Sequence, residues 1–476
     1  MEFENPVNSD SYPDASHEVL RKENDFILNY LRIVAFNGSV YDISTSRVYF
    51  TFEESIFKTA VHGSLVIFDT IDYPTLLPIV GEERLQGSFT RQSDSAAAGT
   101  QGDVLPPIVF DARIYKISPR EQQGEGSEKT QVYTLYFCSD EILKNAQTKV
   151  FKTFKAKPFS DMVTTIFNES MTIKKKIVVQ GTKYDQDYIV SNQSPAVAIR
   201  KIAKRAIPSS VNDGRYFAFF EDRDQFNFVN LGTLFTKAPT KTISYRIQNF
   251  LQDKGVGGDI DYQNQDIKSN IDAVQHYNHS SSFDILDHLQ KGKASSKAIT
   301  VDTIRQKIDQ ITFDLNGQFD EFNHLGTAKT FTDKSSLLNC PDAAFNVVTT
   351  NKEQDTLSWI TERDPTIKPK HIEEYVLHRD SNAQQLARHI TSIQMSGDPR
   401  TKVGDIIKFV LPELLGKVSV QNPQELDKYL QGSYLVAGIC HIIDTTGYYM
   451  NMELIKESFF SDIKHRNPIK EYQNIF

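Results

Sequence analysis

SYLVAGICHIIDTTGYYMNMELIKES, residues 433–458, decides how this chain reads. Leu435, Ala437 and Ile439 alternate with Val436, Gly438 and Cys440. Thr446-Gly447 then closes a turn into Tyr448 through Leu454. A period of two marks a strand with two distinct faces. The segment is therefore a hairpin of long strands. Just before it, VGDIIKFVLP at 403–412 reads as another strand. Further back, EEYVLHR (373–379) reads as a strand and Ser381 through Gln394 as a helix. The strands of 371–458 join TISYRIQNF (242–250) in a barrel.

The N-terminal third follows the same grammar. ILNYLRIVAF, SRVYFTF, SLVIFDT, IVFDARIYKI and QVYTLYFCS are strand candidates between Phe26 and Ser139. Two polar tracts, 92–103 and 119–130, lack apolar residues to bury and read as surface loops. Several strands joined in this way suggest a small barrel. The period then changes. Pro158-Phe159-Ser160-Asp161 opens a helix with Ser160 as its N-cap. Ser194-Pro195 opens a second, because proline is tolerated at the first helical position. YFAFFED and QFNFVNL form a hairpin around Asp222-Arg223-Asp224.

The organisation expected is α+β and mainly β, with two small tube-like β-barrels flanking a small α/β domain. Residues 1–26 are an arm, 27–150 the first barrel and 151–235 the α/β domain. Residues 236–250 and 371–458 form the second barrel, 251–370 a long insertion in it, and 459–476 a tail. The two strand-rich regions are candidates for related barrels.

Composition bounds the function. The chain has 476 residues, enough for three or four domains at roughly 100–200 residues each. Phe (31) and Tyr (20) far outnumber the single Trp359, which suits half-buried pleated surfaces. No apolar run approaches the ~20 residues a membrane helix needs. The acidic, polar start MEFENPVNSDSYPDASHE is not expected to act as a secretory signal. A formal charge of −8 argues against a dedicated nucleic-acid binder, though not against a conduit for DNA. Cys138, Cys340 and Cys440 form no CxxC pair and read as reduced thiols.

No catalytic motif is present: HExxH, GxxxxGK[ST] and GxSxG are all missing. Asp259, Asp261 and Asp266 lie in GVGGDIDYQNQD (255–266), without the further ligands a calcium site requires. A metal near Asp259 and Asp261 is left open; the plainer reading is an acidic loop. His276, His279 and His288 have no nearby cysteine to support zinc and read as a polar loop. His441 reads as a packed strand histidine. The basic face of 194–206 reads as solvated. Adjacent carboxylates such as Glu53-Glu54 point to opposite faces of a strand and make no acid/base dyad. Catalytic, cofactor and metal residues are therefore expected to be none.

Residues 403–458 resemble the last barrel of the central baseplate hub proteins of contractile-tailed, T-even-like phages. The resemblance rests on Val403-Gly404-Asp405 and on the run Tyr434, His441, Tyr449. ESIFKTAVHGSLVIFDTIDYPTLLPIVGEERLQGSF (54–89) resembles that family's first-barrel motif. YTLYFCSDEILKNAQTKVFKTFKAKPFSDMVTTIF (133–167) resembles the passage into its α/β domain. NQSPAVAIRKIAKRAI and YFAFFEDRDQFNFVNL resemble its helix-plus-hairpin unit. The order of these motifs is the specific part, and related proteins serve contractile injection systems.

The resemblance implies a structural virion protein: a homotrimeric hub joining a hexameric tail tube to a trimeric central spike. Its implied partners are the spike, a tail-tube or tube-initiator protein and baseplate wedge proteins. DNA at most passes through its lumen. Its implied location is the virion tail baseplate, assembled in the host bacterial cytoplasm. The alternatives are another tail component, such as a wedge or tube-initiator protein, or a cell-wall hydrolase with its site in 251–370.

Overall fold

The computed structural model describes residues 24–77, 79–91, 105–123, 130–210, 213–245, 272–281, 285–302, 306–329, 339–350, 372–386, 389–412, 427 and 429–460. The 255–266 loop with Asp259 and Asp261 lies outside these, as do 92–103 and Trp359.

Strands β1 (Phe26–Val34), β2 (Val40–Asp42), β3 (Arg47–Ser55), β4 (His62–Asp69), β5 (Arg84–Arg91), β6 (Ile108–Ile117), β7 (Glu121–Gln123) and β8 (Thr130–Cys138) build the first barrel. Their alternation is plain in β4, whose residues are buried at Gly63, Leu65, Ile67 and Asp69. Excluding the short β2 and β7, the neighbours run β1–β5–β6–β8–β4–β3, all antiparallel. The tract 119–130 is not only loop, since β7 pairs with β8. Phe50, Phe110 and Phe137 stack at the centre, with ring centroids 5.4–5.7 Å apart. A Cβ on Gly63 would stand 2.1 Å from the Thr51 carbonyl oxygen and 2.4 Å from the Phe137 ring. Gly63→Ala should therefore lower unfolding stability by about 3 kcal/mol, as overpacking does, measurable by urea titration.

Helix α1 (Asp140–Gln147) leads into the α/β unit. There, β9 (Val150–Pro158) pairs with β11 (Asp185–Gln193), and β10 (Ile177–Val179) joins β13 (Phe226–Asn230) and β12 (Phe217–Glu221). Helices α2 (Phe159–Ser170) and α3 (Pro195–Ala203) pack on that sheet through Met162, Phe167, Ile199 and Ile202. Ser194 occupies the N-cap of α3, as the sequence implies. Helix α2 differs: Pro158 holds the cap position, and Ser160 sits in the first turn, its N–H donating to Thr182 Oγ1 at 2.9 Å.

The second barrel uses β14 (Lys241–Tyr245), β15 (Ala273–Ser281), β19 (His389–Ser396), β20 (Ile406–Val410), β21 (Gly432–Ile443) and β22 (Tyr448–Lys456). It closes as β14–β20–β21–β22–β19–β15–β14. Numbered along the chain, both barrels share one neighbour order: first, fourth, fifth, sixth, third, second. They differ in the first strand, where β1 is antiparallel to its fourth-strand neighbour and β14 is parallel to it.

Several expectations are corrected here. β15 lies within 251–370 yet is a barrel strand, so the interruption between second and third strands begins only after Ser281. That interruption holds a sheet of β16 (Ser295–Asp302), β17 (Lys307–Asp314) and β18 (Phe345–Thr350). EEYVLHR is helix, part of α4 (Ile372–Leu386), and 389–396 is strand β19 rather than the end of a helix. Asn24, expected in the arm, is fixed: its carbonyl accepts from Tyr448 N–H and its side chain from Ser396 Oγ, at 2.9 and 2.8 Å. Phe459, expected in the tail, bridges to Ala328.

Candidate functional site: the joint between the barrels

One hairpin serves both barrels. Along a single edge of β21, residues 432–435 pair with β20 and residues 438–443 pair with β3. Its root, with Val436 and Leu454, lies in the second core. Its tip, with Ile443 and Tyr448, lies in the first. The tip fills the gap between β3 and β1, strands with no pairing to each other among the described residues. Inside, the fully buried His441 takes part through Nδ1 in a 2.8 Å hydrogen bond with Tyr448 Oη. Burial pushes the imidazole well below its ordinary pKa and the phenol well above. His441 is thus a packed strand residue.

The turn of the β12–β13 hairpin wedges into this joint. Arg223 donates to the carbonyls of Pro399 and Thr401 in the second barrel. Its Nε lies 3.7 Å from Glu54 Oε1 on β3 of the first. Glu221 accepts from Val61 N–H at 2.9 Å and Ser139 Oγ at 2.7 Å, and pairs with Lys175 at 2.7 Å. Asp398 is gripped by Lys241 and Arg400, at 2.9 and 3.0 Å. Despite its burial, those hydrogen bonds hold the Asp398 carboxyl below the usual range.

Glu53 and Glu54 do face opposite ways. Glu53 meets Lys58 and His62 outside, while Glu54 is 1 % exposed. Burial raises Glu54 to about 7, against the pull of Arg223 and Lys175 and with that of Asp222. The folded state therefore holds this proton more tightly than an unfolded glutamate, whose pKa is near 4.5. The resulting stabilisation is full below the unfolded value and is lost as pH rises through about 7. Glu54→Gln, neutral throughout, should match the wild type near pH 5. At pH 8 it should exceed it by on the order of 1–3 kcal/mol in urea unfolding. Equal destabilisation at both pH values would contradict this.

The other sequence candidates disperse. His276 is exposed on β15, His279 pairs with Thr391 Oγ1 at 2.8 Å, and His288 is buried on the 285–290 helix. The basic residues of 194–206 are partly used internally: Arg200 on α3 donates to Thr59 Oγ1, and Arg205, just past its end, lies 5.5 Å over the Tyr188 ring. Among the described residues, no group of three or more His, Cys, Asp or Glu side chains could hold a metal. Nor, among them, is any helix long and apolar enough to cross a membrane. Sequence reasoning missed the joint residues Glu54, Glu221, Arg223 and Asp398. Strand alternation at Glu53-Glu54 was the one available signal.

Outside the joint, β3, β21, β22, β19 and β15 lie side by side. Their outer face forms a groove of about 500 Å³ lined by Glu53, Lys58, Gln394, Asn451 and Glu453.

No family model and no curated protein matches the chain. Solved structures do. The 43 kDa tail protein of prophage MuSo2 from Shewanella oneidensis aligns with TM-score 0.48 and 9% identity, over 90% of this chain and 99% of that one. A tail protein from Neisseria meningitidis MC58 aligns with TM-score 0.48 and 10% identity, over 92% and 98%. The E. coli c3393 protein aligns with TM-score 0.39 and 10% identity, over 88% and 76%. It is described as a type VI secretion component structurally similar to the T4 tail proteins gp27 and gp5. The chain's structural neighbours are phage tail and injection-system proteins.

Proposed function

We propose that the chain is a structural tail protein, a baseplate hub that assembles as a homotrimer. The observation that carries this reading is the repeated strand order of two barrels welded by one hairpin. Three such chains around one axis present six similar barrels. A three-fold object can then meet a six-fold tube on one side and a three-fold spike on the other. A closed ring of this kind uses head-to-tail interfaces repeated around the axis.

The partners in this reading are a tail-tube or tube-initiator protein, a central spike and wedge proteins. Its location is the virion baseplate, after assembly in the host cytoplasm. The groove beside the joint, with Ile393, Ile439 and Met452 among its charged and polar residues, lines the lumen. Its charge is balanced or acidic, with Glu53 set against Lys58 and Glu453 exposed, so it would not hold a passing polyanion by counterion-releasing contacts. The role is structural, without catalysis. Light scattering at micromolar concentration tests the reading. The expected mass is three times that of the chain, alone or with the spike present; a monomer in both conditions overturns it.

A further inference from the structure

The α/β unit is charged against the rest of the chain. Residues 151–235 hold thirteen Lys and Arg against eight Asp and Glu, a net charge of +5 in a chain that carries −8. Part of that charge is used internally: Lys175 pairs with Glu221, and Lys152 with Glu169. Lys155 and Lys157 on β9, and Lys149 just before it, are exposed and enter no ion pair among the described residues.

The lysines frame an apolar face. Strands β9 and β11 pair only with each other among the described residues. Phe154 and Val190 turn into the core beside α2. Ile189 lies opposite Thr153, and Phe151 stands two residues along on the same outer face. Ile189 is 64 % exposed and Phe151 81 %, more than any other large apolar side chain among the described residues.

The edges of this ribbon are blunted. Its register shifts between Gln186 and Tyr188 and again between Val190 and Gln193. Ala156 and Asn192 take left-handed φ of 46° and 47° at these bulges, and Ala156 N–H donates to Asp187 Oδ1 at 2.8 Å. Bulges and lysines keep an open edge from pairing with another strand. What the ribbon offers is therefore its face, an apolar pair rimmed by cations.

The chain itself supplies a complement. Residues 1–23, outside the described residues, hold six Asp and Glu against two Lys and Arg, a net charge of −4. No other segment outside the described residues departs from neutrality by more than two charges. Phe3 stands between Glu2 and Glu4, and Tyr12 between Asp10 and Asp14, aromatics framed by carboxylates. The described chain starts at Asn24, whose carbonyl accepts from Tyr448 N–H at 2.9 Å. From there, 23 residues reach up to roughly 75 Å. A compact chain of this length has a radius of gyration of roughly 23 Å, so the ribbon is within range.

We infer that residues 1–20 dock on the outer face of the β9–β11 ribbon, their aromatic side chains against Phe151 and Ile189 and their carboxylates beside Lys149, Lys155 and Lys157. The segment then straps the α/β unit to the hairpin tip that holds Asn24. This contact does not depend on the trimer reading.

Carbodiimide cross-linking of the full chain, read by mass spectrometry, tests it. Carboxylates of 1–20 should couple to Lys149, Lys155 and Lys157 at roughly ten times the yield seen at exposed lysines elsewhere, such as Lys58 and Lys291. Phe151→Glu keeps all three lysines and changes an exposed site, so circular dichroism should be unchanged while the yield falls roughly tenfold. Ile308→Glu, at a 67 % exposed site on β17, should leave the yield as it is. Lys155→Glu with Lys157→Glu should speed hydrogen exchange within 1–20, and adding Glu2→Lys with Glu4→Lys should slow it again.

Cross-links spread evenly over surface lysines, or a yield unchanged by Phe151→Glu, overturn the inference. Exchange within 1–20 as fast in the wild type as in the lysine variant does the same. In a mixture of isotope-labelled and unlabelled chains, Lys155 coupled to Asp187 of a second copy, with 1–20 uncoupled, would make another chain's ribbon the occupant and also overturn it.

Discussion

Leu454→Asp is expected to abolish soluble protein. Leu454 is fully buried and stands opposite Val436 on β21 and Thr391 on β19. An unpaired carboxylate there costs several kcal/mol. That is comparable with the whole margin of a typical domain, about 5–15 kcal/mol. The shared hairpin enlarges the damage, because the same two strands carry Ile443 and Tyr448 into the first core. Val436→Asp and Ile439→Asp should behave alike, since both side chains are at most 2 % exposed. Glu453→Ala, an exposed neighbour on β22, should be close to neutral. Soluble yield and resistance to a nonspecific protease distinguish these cases. Normal yield from all three aspartate variants would contradict the shared-core account.

Arg223→Ala is the second large expectation. The side chain is 7 % exposed and satisfies two carbonyls of the second barrel while facing Glu54 of the first. Removing one partner of a buried charge pair typically costs about 3–5 kcal/mol. At pH 8 the loss should be near that range. At pH 5 it should be smaller, because Glu54, raised to about 7, is already protonated there and no carboxylate is left unpaired when Arg223 is removed. Arg223→Lys should recover only part of the loss, since an ammonium cannot reproduce the planar fork. Urea unfolding of Arg223→Ala, Glu54→Gln and the double variant would isolate the coupling. A loss under 1 kcal/mol at both pH values would remove Arg223 as the fastener of the joint.

The parts of this fold legible in sequence are those where burial follows a simple period. The hairpin 433–458 and strand β4 alternate cleanly, and Ser194-Pro195 announces its helix. The misread parts bury polar groups. Along α4 the buried positions include Leu377, Ser381, Gln385 and Leu386. Ser381 Oγ donates to the Lys293 carbonyl at 2.6 Å, so half of the contact face is polar and leaves no apolar stripe. β19 buries His389 and Thr391 beside Ile393 and Met395, which hides its alternation. β15 shows the chain AVQHYNHSS, whose outward residues are polar and whose His279 stacks on His389 within the sheet.

The joint itself was almost invisible for a related reason. Glu54, Glu221, Arg223 and Asp398 are far apart in the chain, and ordinary surface residues have the same composition. Only the folded topology brings them together. The repeated strand order was equally hidden, because β15 falls inside a stretch that reads as an insertion.

Electron cryomicroscopy of the purified assembly, with three-fold symmetry imposed only after an unsymmetrised reconstruction, tests the central claim most directly. The expected result is a ring of six barrels, alternating first and second, with the groove beside the joint facing the lumen. Single chains, or a ring whose first and second barrels do not alternate, would contradict it.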